Sequence, residues 1–428
     1  MTSARAELSR VIYGESGPPG RTAVDGSVPR VNGEQPEITV AIASHNRRDS
    51  LRSVLTGLGG QDYPRERFEV LVVLDGCTDG SAEMARSVDM PYRLRTIEQP
   101  QSGLAAARNR GLQEADHPLV LFLDDDLAPV QGFIEAHAAA HRESAEPSVV
   151  VGHSPPADIG EGLWADEIRR WWEDRFRRLE DPTHRWSFID FADGNFSAPA
   201  ELLEAHDGWD EGFTRRQDWE LAARLLDAGV RFVYRADATA WHRFDASLAA
   251  AVANRRSEGA SDVAFAARHP RWRSQLQLAT LASMYEHSPP RRRLIRLAYG
   301  RPRVARAVAN RGMRSLGVLE RLNRRGMWSA MLGRLMTLQY LLGVIDAEPS
   351  VDRFSALAAE IERDTGEPVT LDLDRPGPVA LPPRPGPLEV HVVRDGRELA
   401  CVPGTLPMQQ WDWENLIDRI IDAGALER

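Results

Sequence analysis

The sequence predicts an α/β chain: a doubly wound, mostly parallel sheet flanked by helices, followed by a helical extension and a small C-terminal α/β unit. Three observations carry this prediction. Short apolar runs alternate with helical patterns at 25- to 30-residue spacing from Ile38 to Leu123, the rhythm of strand–helix–strand units. The runs are short and mainly apolar, as buried parallel strands are. Charge then changes sign twice, from net −15 over residues 1–266 to +14 over 267–344 and −7 over 351–428, which suggests three structural units, or one unit with a basic arm clasped by acidic neighbours.

Taken in order, residues 1–35 form a leader rich in Gly, Pro and Ser. The first domain is expected over 36–245. Its strands are Ile38–Ser44, Phe68–Leu74, Tyr92–Ile97 and Leu119–Leu123, separated by helices over Asp49–Leu58, Ser81–Val88 and Leu104–Ala115. Trp164, Trp171, Trp172 and Phe176 recur at near-helical spacing and, with Trp186, read most simply as packing residues. A helix over Asp218–Asp227 leads to a strand over Arg231–Tyr234. Residues 246–350 read as a basic helical extension, interrupted at Pro289-Pro290 and Pro302. The final unit, 351–428, holds a Pro-rich linker at 376–387. After it, Asp395-Gly396 signals a hairpin between Leu388–Val393 and Glu398–Val402, and Trp411–Ala423 has the pattern of an amphipathic helix.

Composition excludes several function classes. With 428 residues, 42% hydrophobic and 27% charged, the chain is globular and neither mainly disordered nor a multi-span membrane protein. Its 53 basic residues stand against 63 acidic ones, a formal charge of −10, which argues against a general nucleic-acid binder. All 53 are arginine, so lysine Schiff-base and P-loop chemistry are ruled out. Cys77 and Cys401 are the only cysteines, so no disulfide framework or cysteine zinc site is expected. Met1–Arg30 has no apolar stretch flanked by basic residues, so no signal peptide is read and a cytoplasmic location is expected.

Ligands of open α/β sheets bind beyond the carboxyl ends of the strands. The first strand ends in Ser44-His45-Asn46-Arg47, the second in Asp75-Gly76-Cys77-Thr78-Asp79-Gly80 and the fourth in Asp124-Asp125-Asp126. Three adjacent carboxylates repel one another unless a cation or a proton neutralises them. Magnesium-like cations take one or two carboxylates together with substrate phosphates, so the triple aspartate points to a metal-bridged diphosphate. Leu371-Asp372-Leu373-Asp374 repeats the Asp-x-Asp spacing before the proline linker and is assigned no metal.

The segments ITVAIASHNRRDSL, VVLDGCTDGS, SGLAAARNRGL and LFLDDD, in that order, resemble glycosyltransferase family 2, whose fold is the Rossmann-like GT-A arrangement. GWDEGF (Gly208–Phe213) and QDWELAARLLDAG (Gln217–Gly229) extend the resemblance, which covers roughly Glu37–His242. It implies a nucleotide-diphospho-sugar donor, a UDP-sugar on the match at Asp75, and Mg2+ or Mn2+. Ser44, Asn46, Arg47, Asp75, Arg108, Asn109, Asp124 and Asp125 fall on the donor side, and Asp126 and His242 on the metal. Asp218 falls on the general base, with Glu220 supporting its loop. Asp193, Asn195 and Trp209 fall toward the acceptor. Leu74, Cys77 and Gln217 depart from the family pattern, Gln217 standing where a glutamate is usual. A single displacement with inversion is the expectation, with retention left open.

The acceptor is not legible: a polysaccharide, a lipid-linked sugar, a peptide or a small natural product would each fit. Two rivals remain in view, a non-catalytic nucleotide-sugar-binding scaffold with the same fold and a nucleotidyltransferase. The latter calls for a Gly-rich loop where SHNRR stands. His137 and His141, four apart on a helical pattern, read as a solvated face, and Asn195-Phe196-Ser197 as an idle glycosylation sequon. Gly326–Ile345 is mostly apolar but carries Arg334, whose burial at mid-bilayer would cost about 2.5–3.5 kcal/mol. A helix packed in a bundle is therefore expected, with peripheral membrane contact through the Arg-rich helices as the next reading.

Overall fold

A computed structural model describes residues 35–144, 146–180, 184, 186–243, 247–364, 369–374 and 386–406. The leader, most of the Pro-rich linker and the helix expected over Trp411–Ala423 lie outside the described residues.

The first unit runs through Ala251 and includes Glu320–Arg325. Its strands are β1 (Ile38–Ser44), β2 (Phe68–Asp75), β3 (Arg93–Gln99), β4 (Leu119–Leu123), β5 (Leu127–Pro129), β6 (Ser148–His153), β7 (Asn195–Pro199) and β8 (Arg231–His242). They form one sheet in the order β3-β2-β1-β4-β7-β6-β8-β5. β1 pairs in parallel with both β2 and β4, whereas β7 runs antiparallel to β4 and β6. The helices between the strands are α1 (Arg48–Gly59), α2 (Ser81–Ser87), α3 (Leu104–Gln113), α4 (Phe133–Glu143), α5 (Leu163–Glu180), α6 (Ala200–Glu204) and α7 (Gln217–Asp227). Every residue of β2 and β4 is buried, as the uniform apolar runs require. One core cluster joins Ile38, Val40 and Ile42 of β1 to Leu51, Val54, Leu55 and Leu58 of α1 and to Phe133 and Ile134 of α4.

This topology places the ligand crevice. The chain moves outward from β1 to β2 and β3, then crosses back to lay β4 on the other flank of β1. The carboxyl ends of β1 and β4 therefore diverge at a switch point, where open α/β sheets leave room for a ligand. Ser44–Arg47 and Asp124–Asp126 leave the sheet at that point.

The second unit comprises Val252–Leu319 and the described residues from Gly326 onward. Its helices are α8 (Leu248–Arg268, which starts in the first unit), α9 (Gln277–His287), α10 (Pro289–Gly300), α11 (Pro302–Arg321), α12 (Arg325–Ala347) and α13 (Val351–Asp364). Its strands β9 (Val369–Asp372), β10 (Gly386–Arg394) and β11 (Arg397–Leu406) form a small sheet in the order β11-β10-β9. The helical extension and the C-terminal strands thus belong to one unit, where the charge pattern suggested two. Phe354 of α13 seats its ring against Tyr285 and Tyr299, and Arg273 pairs with Glu360 at 2.9 Å. Asp395 and Gly396 both take positive φ, the backbone that a two-residue hairpin turn demands.

The apolar helix read at Gly326–Ile345 is α12, packed as expected against α8. At the crossing, a Cβ on Gly259 would overlap the Tyr340 carbonyl oxygen, and one on Gly343 the Arg256 carbonyl. The Tyr340 hydroxyl donates to Asp262 on the same interface. Among the described residues no helix is long and apolar enough to cross a membrane.

Candidate active site

The triple aspartate sits in the turn between β4 and β5, and its three carboxylates point three ways. Asp124 accepts from Arg108 Nη2 at 2.7 Å and its backbone N–H donates to the Gly194 carbonyl at 2.8 Å. Asp125 turns inward, accepting from Ser44 Oγ at 2.6 Å and Arg47 Nη1 at 3.3 Å. Asp126 turns toward the end of β8. Its Oδ2 is gripped by Arg47, and His242 Nε2 lies 3.8 Å from its Oδ1.

Electrostatics separates them further. Burial pushes the Asp125 carboxyl up to about 7, against the pull of Ser44 and Arg47, with Asp124 and Asp126 adding to the rise. Burial acts on Asp126 too, but His242 and Arg47 outweigh it and hold that carboxyl below the usual range. Arg47 thus acts as the counter-cation of the Asp125–Asp126 pair.

A divalent cation can be tested against these groups. Asp126 Oδ1 is buried with no hydrogen-bond donor in reach, and a buried oxygen left so is costly unless another ligand completes it. Among the described residues no three His, Cys, Asp or Glu side chains gather into a protein-only cage. That suits a cation of the magnesium class, which fills its shell from water and substrate phosphate. The residues fit the group.

A second cluster lies on the other side of Asp124. Arg108, buried on α3, bonds both Asp124 and Asp193. Asp193 also accepts from Trp209 Nε1 at 2.9 Å. Asp218, in the first turn of α7, accepts from the Trp219 backbone N–H at 2.9 Å. Burial pushes the Asp218 carboxyl above its usual range, opposed by that N–H and by the charges of Arg216, Arg108 and Arg175. Burial raises Asp193 as well, with Arg108 opposing and Asp218 and Asp124 reinforcing. Beside Asp218, the Gln217 Oε1 is buried without a donor. Glu220 binds Arg224, which in turn holds the Gly208 carbonyl at 2.6 Å, so through Arg224 it reaches the GWDEGF loop.

Part of the region that holds these clusters is similar to a known family. Residues 39–206 match the family model described as Glycosyl transferase family 2. Glycosyltransferase AglE of Haloferax volcanii is 35% identical over 102 residues, 23% of this chain and 34% of that protein. Validoxylamine A glucosyltransferase of Streptomyces hygroscopicus subsp. jinggangensis is 29% identical over 232 residues, 47% of this chain and 54% of that one. The chain therefore spans about half or less of these relatives. Among solved structures, the mannosyltransferase PcManGT of Pyrobaculum calidifontis, in complex with GDP-Man and Mn2+, has a TM-score of 0.48 at 20% identity over 75% of this chain and 91% of that chain.

The structure gives the other motif residues protein partners of their own, and buries Trp209 and Asn195. The Asn109 amide donates to the Trp209 carbonyl at 2.8 Å and to Glu211 at 2.9 Å, and accepts the Trp209 N–H. It pins the GWDEGF loop to α3. Trp209 is 2% exposed, its ring packed on Phe122 and Phe196, so it offers no open face to an acceptor. Asn195 is equally buried, its amide bonded to His137 at 2.9 Å and to the Ala238 carbonyl at 3.1 Å. It lines the sheet interior rather than a cleft. His137 and His141 are not a solvated face: both are buried and share the Ser197 hydroxyl at 2.9 and 2.8 Å. Asn46 accepts the Thr78 N–H at 2.7 Å and so ties the loop after β1 to the loop after β2. Asp75 accepts from the Ser102 and Gly103 backbone N–H groups at 2.7 and 2.9 Å and from Gln99 at 2.9 Å, which fixes the turn entering α3.

Two contacts were not foreseen from the sequence. Gly194 leaves no room for a side chain, because a Cβ there would overlap the Asp124 carboxylate. Trp172 of α5, read only as packing, does stack on Phe176 but also sets its edge on the His242 imidazole, centroids 5.8 Å apart. Helical spacing signalled Trp172 as buried; nothing in it signalled His242 as its neighbour.

Proposed function

We propose that the chain transfers a sugar from a nucleotide-diphosphate donor, a UDP-sugar, to a nucleophilic acceptor by a single displacement that inverts the anomeric centre. The observation that carries this reading is the split of one aspartate run between two clusters at the sheet's switch point. Asp126, with an unsatisfied buried oxygen, faces His242 and Arg47; Asp124 leads through Arg108 to Asp193 and Asp218.

In this reading Asp126, with His242, holds Mg2+ or Mn2+, which stabilises the departing diphosphate as a Lewis acid when bound. Ser44 and Arg47 keep Asp125 from crowding that position. Arg47 is long and 45% exposed, so its guanidinium can follow the diphosphate while remaining beside the acids. Asp75 and the loop fixed by Asn46 shape the nucleoside end. Asp218 takes the proton from the acceptor as the nucleophile bonds to the anomeric carbon and the bond from that carbon to the diphosphate oxygen breaks. A carboxylate raised by burial is a stronger base than one in water. Gln217 Oε1 is placed to accept a hydrogen bond from the acceptor, a role its neutral amide fills without adding charge beside Asp218.

The test is thermal stability with UDP, GDP, ADP or dTDP, each with Mn2+ or EDTA, alongside Asp126→Ala and Asp218→Asn. Saturation at a hundred times the dissociation constant adds about 2.7 kcal/mol. UDP with Mn2+ should raise the unfolding temperature, Asp126→Ala should abolish the rise, and Asp218→Asn should keep it. Donor turnover, measured as UDP release, should then fall on the order of 10²- to 10⁴-fold in Asp218→Asn. No shift with any nucleotide would refute the donor site, and undiminished turnover in Asp218→Asn would refute the base.

A further inference from the structure

We infer that α10 and α11 form a docking surface for an anionic lipid bilayer. Leu294 and Leu297 of α10 and Val304, Val308 and Val318 of α11 are each more than half exposed. They are not scattered. At 100° per residue, Val304, Val308, Arg311 and Val318 fall within an arc of about 80°. Ala305, Ala309 and Leu316 of the same helix are buried on the other side. The outward face is therefore a strip of aliphatic side chains along a helix whose inward face is already packed.

Charge selects the occupant. Residues 289–321 carry ten arginines and one acid, Glu320. Arg292 meets Glu286 at 3.7 Å and Arg306 meets Asp346 at 2.8 Å. Among the described residues Arg291, Arg293, Arg303, Arg311 and Arg314 have no acidic partner. Arg293 precedes the α10 pair directly, and Arg303 and Arg314 flank the α11 strip. A protein partner for such a strip would need a matching apolar surface ringed by acids. An anionic bilayer supplies both requirements at once, an acyl boundary for the valines and leucines and phosphates for guanidinium groups that bind them in bidentate fashion. Long arginine side chains can also lie along the apolar strip while their heads stay at the phosphate level.

The experiment is co-sedimentation of the full chain with phosphatidylcholine vesicles and with vesicles that also contain phosphatidylglycerol, at low and at high salt. Heparin serves as a soluble polyanion. Val304→Ser/Val308→Ser keeps the charge and removes apolar surface; Arg303→Gln/Arg311→Gln does the reverse. All four positions are exposed or solvent-facing, and circular dichroism checks that each variant folds. The chain should bind the anionic vesicles and not the neutral ones, with salt weakening the binding. The arginine variant should bind about thirtyfold more weakly, at roughly fivefold per arginine near the surface, and the valine variant at least about tenfold more weakly. Three results would each overturn the inference: no binding to anionic vesicles, wild-type binding by the valine variant, or heparin binding without vesicle binding.

Discussion

Gly194 governs more of the site than any side chain beside it. Its backbone carbonyl receives the Asp124 N–H, and the space where a Cβ would stand is filled by the Asp124 carboxylate. Gly194→Ala must displace Asp124 and with it the ion pair to Arg108. Overpacking of this kind costs about 1–3 kcal/mol. We expect a lower unfolding temperature together with at least tenfold weaker nucleotide binding, read by titration calorimetry. A variant that loses stability and keeps its affinity would show that Asp124 has no part in holding the donor. At this scale the sequence was legible where a residue type has few uses. The aspartate run, Ser44 and Arg47 do come together in the structure, Ser44 on Asp125 and Arg47 on Asp126. Trp209 and Asn195 were misjudged because tryptophan and asparagine serve equally well in cores and clefts. Only the partner decides, and each partner is far along the chain, as His137 is from Asn195.

Among the elements, the strands β1 to β4 were read within a residue or two, since a mainly apolar run bounded by turns has one economical use, whereas β8 runs on to His242, past the Tyr234 where it was expected to end. β6 and β7 were missed. β7, Asn195–Pro199, carries polar residues at buried positions, and α4 supplies His137 and His141 among their partners. That pairing creates a pH dependence. Burial pushes His137 down to about 4 and His141 down to about 3, from an ordinary 6.5. In the unfolded chain both imidazoles take up protons near pH 6.5, whereas the folded chain holds them neutral well below that. Their contribution to stability is full above pH 6.5 and is lost as the pH falls toward 4, at up to about 2.7 kcal/mol per unit for two protons. Urea unfolding at pH 7, 6 and 5 should show the midpoint falling, with His137→Gln reducing the slope by about half. A flat profile would mean that the pair is charged or exposed. The α8–α12 crossing makes the opposite point. Gly259 and Gly343 were unremarkable in sequence, yet each meets the partner helix's backbone where a methyl group would not fit.

At the scale of the whole molecule, the chain divides into two compact units, and every residue of the candidate site belongs to the first. Ligand stabilisation acts on the folded form that binds, and chains of more than one unit depart from two-state unfolding. Calorimetry should therefore resolve two endotherms, of which UDP with Mn2+ moves one. A single endotherm moved as a whole would mean that the units unfold together. The charge map anticipated the basic segment but not its membership. Alternating sign suggested three units, because charge reports what faces water and says nothing about which apolar faces meet.

The strand order also sets a schedule for synthesis. β4, with its wholly apolar LVLFL, acquires its neighbour β1 from the chain already made, but its other neighbour β7 begins 72 residues after β4 ends. At about 5–20 residues per second, that edge stays unpaired for roughly 4 to 14 s on the ribosome. Over that interval the nascent chain presents the sticky edge that finished sheets avoid. The acidic run at its end, Asp124-Asp125-Asp126, then serves a purpose unrelated to any substrate: like charges beside an open apolar strand discourage one nascent copy from adding to another.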